Sequence, residues 1–194
     1  MKYLLIIMIC AGLVGCPAPY INGQPNENSV YFEIPAGSRL ILEKPLQVPA
    51  ERNKLYFQNG RALDWAAVNI YLPYCALTMT SKNAEAQPVQ PDDFAIREIR
   101  TEHFFNIVRD DQTPDIRPAA LVTGPLVDMD QDHGGRTYEV VGVVMALESE
   151  HQPNVKAMIC ADWGVPQGTQ FITVAKIRKS LGSFFELVLN LPAS

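Results

Sequence analysis

Three histidines are spread over the 194 residues, and none stands at the His-x-x-x-His spacing of a zinc site. The sequence also lacks Gly-x-Ser-x-Gly, His-Glu-x-x-His, a P-loop and Gly-x-Gly-x-x-Gly, so the common signatures of hydrolases, metalloproteases and nucleotide-binding enzymes are missing. Cations are outnumbered, 16 Lys and Arg against 21 Asp and Glu. That balance argues against nucleic acid, which demands a basic surface, and against electrostatic docking on anionic lipid. Nor does any apolar run suffice to span a membrane: the longest, Tyr3 to Val14, falls short of the roughly 20 residues needed to cross a hydrocarbon core.

What is present begins with that run. Lys2 followed by Tyr3 to Val14 has the layout of a cleavable export signal. At its end, Leu13, Val14, Gly15 and Cys16 resemble the lipobox of bacterial lipoproteins: a branched aliphatic, a tolerant position, a small residue, then cysteine. The resemblance implies cleavage before Cys16 and a diacylglycerol thioether on its sulfur. Two or three acyl chains hold a protein far more firmly than one, at about 0.8 kcal/mol per buried methylene. Pro17 replaces the aspartate that retains enteric lipoproteins at the inner membrane, so the resemblance favours the outer membrane, with the domain facing the periplasm.

Residues 1–15 therefore read as signal and 16–29 as a lipidated N-terminus with a Pro-, Asn- and Gly-rich flexible tether. Residues 30–194 read as one domain. Loss of Lys2 with the signal takes the formal charge from −5 to −6. Cys10 also leaves, and Cys16 is taken by lipid, so Cys75 and Cys160 remain. In an oxidising envelope two remaining cysteines pair; a redox role would call for Cys-x-x-Cys instead.

From Val30 onward, short β-branched and aromatic runs are broken by turn residues: VYFEI, SRLILE, LQV and KLYFQ, the last ending at Asn59-Gly60. This texture predicts a mainly β, antiparallel sandwich or barrel-like domain. Asp64 could cap a helix over WAAVNIY, a strand carries Cys75, and the Pro-containing stretch from Ser81 reads as a surface loop. Phe94 to Val108 reads as a long strand with a bulge near His103. Tyr138 to Leu147 reads as a central strand and Val155 to Ala161 as its neighbour. Thr173 can cap one short C-terminal helix, VAKIRKSL, stopped by Gly182, before a last strand from Phe184.

The clearest chemical pattern is acidic. Asp128, Asp130, Asp132 and Glu139 fall at positions one, three, five and twelve of an EF-hand-like loop, whose oxygen ligands would suit Ca²⁺. His133 occupies the position that should be glycine, and a solvated acidic loop accounts for the same residues. Glu98, Arg100 and Glu102 share one face of a strand and read as a salt-bridged solvent face rather than a catalytic carboxylate pair. No catalytic residue is assigned. Trp65 and Trp163 could stack on sugars, although burial is the commoner use.

The motifs around Tyr56 to Gly60, Tyr71 to Cys75, Gln152-Pro153 and Cys160 to Trp163 look like those of small uncharacterised proteobacterial envelope lipoproteins. That resemblance brings no activity, and it supports the Cys75–Cys160 pair. The expectation is a non-enzymatic envelope lipoprotein with no cofactor, attached to the membrane by lipid and binding or scaffolding an envelope protein. A Ca²⁺- or small-ligand-binding domain is the alternative, and an envelope hydrolase the third.

Overall fold

Asn59 and Gly60 both have positive φ, 50° and 72°, as a two-residue hairpin turn of mirror-image type requires. They join β5 (Lys54–Gln58) to β6 (Arg61–Leu63), with Gln58 opposite Arg61. In the computed structural model, which describes residues 18–108, 117–118, 136–163 and 171–191, this hairpin forms one end of a curled antiparallel sheet.

The preceding strands are β1 (Tyr20–Ile21), β2 (Gln24–Pro25), β3 (Arg39–Leu42) and β4 (Leu46–Val48). After β6 come β7 (Tyr74–Met79), β8 (Gln87–Val89), β9 (Asp92–Val108), β10 (Arg117–Pro118), β11 (Arg136–Glu148) and β12 (Val155–Trp163). Helix α1 (Val174–Leu181) and β13 (Phe185–Val188) complete the described elements. The sheet runs β13-β3-β9-β11-β12-β7-β5-β6, with β10 also paired to β9, while β1-β2 and β4-β8 form separate pairs. The domain is thus mainly β, a half-barrel with one helix near its C-terminus.

Period-two alternation sorts side chains onto the two faces. Leu55 and Phe57 enter the larger core cluster with Cys75, Leu77, Met145 and Met158. Tyr56, Tyr74, Val144 and Ala161 form a smaller cluster on the opposite face, against Trp65 and Val68. The half-barrel closes around α1, whose Ile177 and Leu181 are fully buried in the larger cluster. Each such aliphatic side chain contributes about 1.5–3 kcal/mol when removed from water. Thr173 caps the helix by accepting the Lys176 N–H at 3.3 Å.

Closure is completed where two glycines meet. Gly60 in the hairpin donates its N–H to Ser180 O at 3.0 Å. Gly182, the residue that stops α1 at φ 59°, lies so close that a Cβ placed on it would stand 2.3 Å from Gly60 Cα. Phe57 meets both Phe184 and Phe185, joining β5 to the segment that enters β13 at the other edge.

Cys75 and Cys160 face each other directly in the β7–β12 ladder and form a buried disulfide, with Cα atoms 4.0 Å apart. The expected pairing is therefore present, as a cross-strand staple inside the core.

Four local expectations are corrected. The 30–34 run alternates in burial but forms no strand; Phe32 and Ile34 point inward without a ladder. Asp64 caps nothing with its side chain, and the expected helix is a single 3-10 turn, Trp65–Ala67: Val68 is extended, and the Gln58 side chain accepts the Asn69 N–H and donates to the Asn69 and Leu72 carbonyls in place of helical bonds. The loop after Ser81 contains β8, which pairs with β4 and tolerates Pro88 in a short two-stranded unit. The bulge in β9 lies at Arg97, not near His103: Leu147 pairs with Ile96 and Ala146 with Glu98. Its extra residue switches the inward-facing set from Phe94 and Ile96 to Ile99, keeping it in phase with Leu147 and Met145 on β11.

The stretch expected as a tether is held down from Ala18 onward. Asn26 donates to Ala18 O at 2.9 Å, and Arg178 grips Glu27 with two hydrogen bonds of 2.9 and 3.1 Å. Ala175 N–H donates to Glu27 O at 3.0 Å. A Pro- and Asn-rich composition signalled flexibility, but it supplies the turns of a small docked hairpin, β1–β2.

Candidate functional site

Past the bulge, β9 no longer has β3 beside it, since their pairing covers only Asp92 to Ala95. Between this part of β9 and the segment 30–36 lies a partly open cavity of about 590 Å³. Phe32 and Ile34 line it from that segment, Ile96 and Ile99 from β9, and Ile172 and Ile177 from the start of the α1 region. Tyr31 and Phe171 stand at the mouth, 59% and 40% exposed. Its size lies within the roughly 300–1,000 Å³ of small-molecule sites, and its lining is apolar in the same way.

Charges border the cavity without entering it as a free set. Arg97 pairs with Glu148, and Arg100 pairs with Glu102 and, at 3.8 Å, with Glu98. Those acceptors hold the Arg100 guanidinium above its ordinary pKa: the hydrogen bond to Glu102 is the chief cause and outweighs a small desolvation in the opposite direction. The expected salt-bridged face of Glu98, Arg100 and Glu102 is present.

A second constellation sits at the β11–β12 turn, where Ser149, His151 and Asp92 come together. Residues of these types can form a nucleophilic triad, but the hydrogen bonds run otherwise. Ser149 donates its hydroxyl to Asp92 Oδ2 and accepts backbone N–H groups from His151 and Gln152 at 3.1 and 3.3 Å. The exposed His151 ring reaches Asp92 Oδ1 at 3.5 Å, so the imidazole and the Ser149 hydroxyl both turn to the carboxylate rather than to each other. Gln152 donates to Gln90 O at 2.7 Å and accepts Gln90 N–H at 2.9 Å, binding the turn to the start of β9. Burial raises the Asp92 pKa, but hydrogen bonds from Ser149, Gln152, the Asp93 N–H and His151 together lower it below the usual value. The arrangement fastens a turn.

Asp162, nearly buried near the end of β12, forms an ion pair with Lys176 on α1 and so ties the helix to the inner face. Trp65 is half-buried, 4.9 Å from the ring of Tyr56 and 5.9 Å from that of Tyr74, and serves packing. Of the expected site residues that are described, Cys75 and Cys160 are brought together. Cys16, Asp128, Asp130, Asp132 and His133 lie outside the described residues. Glu139 is placed in β11 opposite Phe105. Among the described residues no group of three or more His, Cys, Asp or Glu side chains is placed to hold a metal ion, and no helix is long and apolar enough to cross a membrane.

The cavity was missed in the sequence. Its signal was the 30–34 run, alternating as a strand does but followed by Pro35-Ala36-Gly37 and left without a ladder. Compared with protein-family models, curated proteins and solved structures, the chain matches none.

Proposed function

We propose that this chain is a lipid-anchored protein of the bacterial envelope that acts by binding an envelope component rather than by catalysis. The observation that carries the binding reading is the apolar cavity beside β9, with Tyr31 and Phe171 exposed at its mouth. The wiring of Ser149, in which the hydroxyl donates to a carboxylate, supports a non-catalytic role for the one triad-like cluster described. Anchoring rests on Leu13 to Cys16 in the sequence. The buried Cys75–Cys160 disulfide supports an oxidising compartment such as the periplasm. The outer membrane is the proposed destination, on the strength of Pro17.

The test is metabolic labelling with an alkyne palmitate in bacterial cells expressing the protein, followed by crosslinking in intact cells. Label that disappears in Cys16→Ser, together with a reproducible crosslinked envelope neighbour, is the expected result. Label that persists in Cys16→Ser would sink the anchoring reading. The Ca²⁺ alternative rests on the spacing of Asp128, Asp130, Asp132 and Glu139. It requires a melting temperature that rises with Ca²⁺ and ceases to do so in Asp128→Asn with Asp130→Asn.

A further inference from the structure

We infer that the cavity between the 30–36 segment and β9 takes the hydrocarbon chain of an uncharged amphiphile, with an alcohol or ester at its end. The inference deepens the binding reading proposed above and rests on it. Three features select this ligand class. The first is size: about 590 Å³ suits a single small molecule, whereas a protein partner requires a contact surface of roughly 800 Å² on each side.

The second is the lining. Phe32, Ile34, Ile99 and Ile177 offer no polar atom from their side chains, so an apolar chain gains burial there and a polar one loses its hydration without replacement. The lining also includes the exposed Tyr31 and Thr101, whose hydroxyls are of the kind that meets an alcohol or an ester.

The third is charge. The two cations lining the cavity, Arg97 and Arg100, are paired with Glu148, Glu98 and Glu102. Glu33, which also lines it, adds a further carboxylate. A phosphate or carboxylate headgroup would therefore meet the Glu33 carboxylate and, among the described residues that line the cavity, no unpaired cation. Tyr20, packed edge-on against Phe32 at 5.7 Å, places the N-terminal segment directly against this wall.

The experiment uses residues 16–194, the chain left by the expected cleavage, carrying Cys16→Ser, so that neither an attached acyl group nor the apolar Tyr3–Val14 run can compete, and the uncharged fluorescent probe N-phenyl-1-naphthylamine. The expected result is a saturable one-to-one rise in fluorescence, reversed by 1-dodecanol and at least about tenfold less effectively by dodecanoate. Thr101→Trp, at an exposed lining position, and Ile99→Phe, inside the cavity, should each weaken probe binding about tenfold or more while leaving the melting transition in place. Two variants guard against one failing to fold. No saturable rise, binding indifferent to both substitutions, or equal displacement by dodecanoate would each overturn the inference. Because the probe is read on a chain that cannot be acylated at Cys16, its failure leaves the palmitate result standing, and loss of anchoring leaves probe binding standing.

Discussion

Replacing Gly182 with alanine should open the half-barrel at its seam. Two costs combine at this position. The backbone at φ 59° and ψ −134° is one that an L side chain rarely adopts, and holding alanine there costs about 1–3 kcal/mol. In addition, the new Cβ would stand 2.3 Å from Gly60 Cα, and both sides of that contact are backbone, so no rotamer change can relieve it. Relief requires the β5–β6 turn to withdraw from α1. Withdrawal sacrifices the Gly60 N–H bond to Ser180 O, about 0.5–1.5 kcal/mol, and loosens the packing of Phe57 against Phe184 and Phe185. The combined loss is about 2–4 kcal/mol, a large part of the roughly 5–15 kcal/mol by which domains are stable. Equilibrium urea denaturation with the disulfide intact measures it as a shift in midpoint at unchanged slope. Gly23→Ala is the control, since Gly23 has φ 75° but open space where the Cβ would go. If Gly182→Ala costs no more than Gly23→Ala, the two glycines are not a seam and the account of closure is wrong.

Two further outcomes follow from the same structure. Replacing Cys75 and Cys160 together by alanine should lower stability by about 4–5 kcal/mol, since the disulfide closes a loop with a sequence separation of 85; denaturation of the variant beside the oxidised protein reads this directly, and a loss under about 1 kcal/mol would contradict it. Asp92 has a pKa below its unfolded value, so its stabilising contribution is present above about pH 4 and lost as pH falls through the depressed folded value. Asp92→Asn should therefore flatten the acid limb of the stability profile while leaving the slope near neutrality alone; an unchanged acid limb would show that the turn network is not what Asp92 supports.

Local signals were legible where one strand or helix decided its own form. KLYFQ is β5 because Leu55 and Phe57 alternate with neighbours that tolerate the other face, and VAKIRKSL is α1 because Thr173 and Gly182 supply its start and stop. The cysteine pair was legible because only two of the four cysteines lie outside the expected signal and lipidation site. What escaped was anything fixed by a partner distant in sequence. Tyr31 to Ile34 alternate as well as β5 does, yet no strand lies beside them, and burial pattern alone cannot reveal a missing ladder. The position of the bulge was illegible for a related reason: Arg97 is extruded to keep β9 in phase with Met145 and Leu147, residues some fifty positions later. The cavity is a product of both, lying between the 30–36 segment and the middle of β9, from Ile96 to Thr101.

The docking of Glu27 on Arg178 and of Asn26 on Ala18 sets the length of a leash. If Cys16 carries lipid, only Pro17 lies between it and Ala18, and over those two steps of about 3.3–3.6 Å each the slack is roughly 7 Å. A protein so held works within its own width of the bilayer and cannot sweep the space beyond. Whatever it meets must come to the membrane surface, or already reside in it.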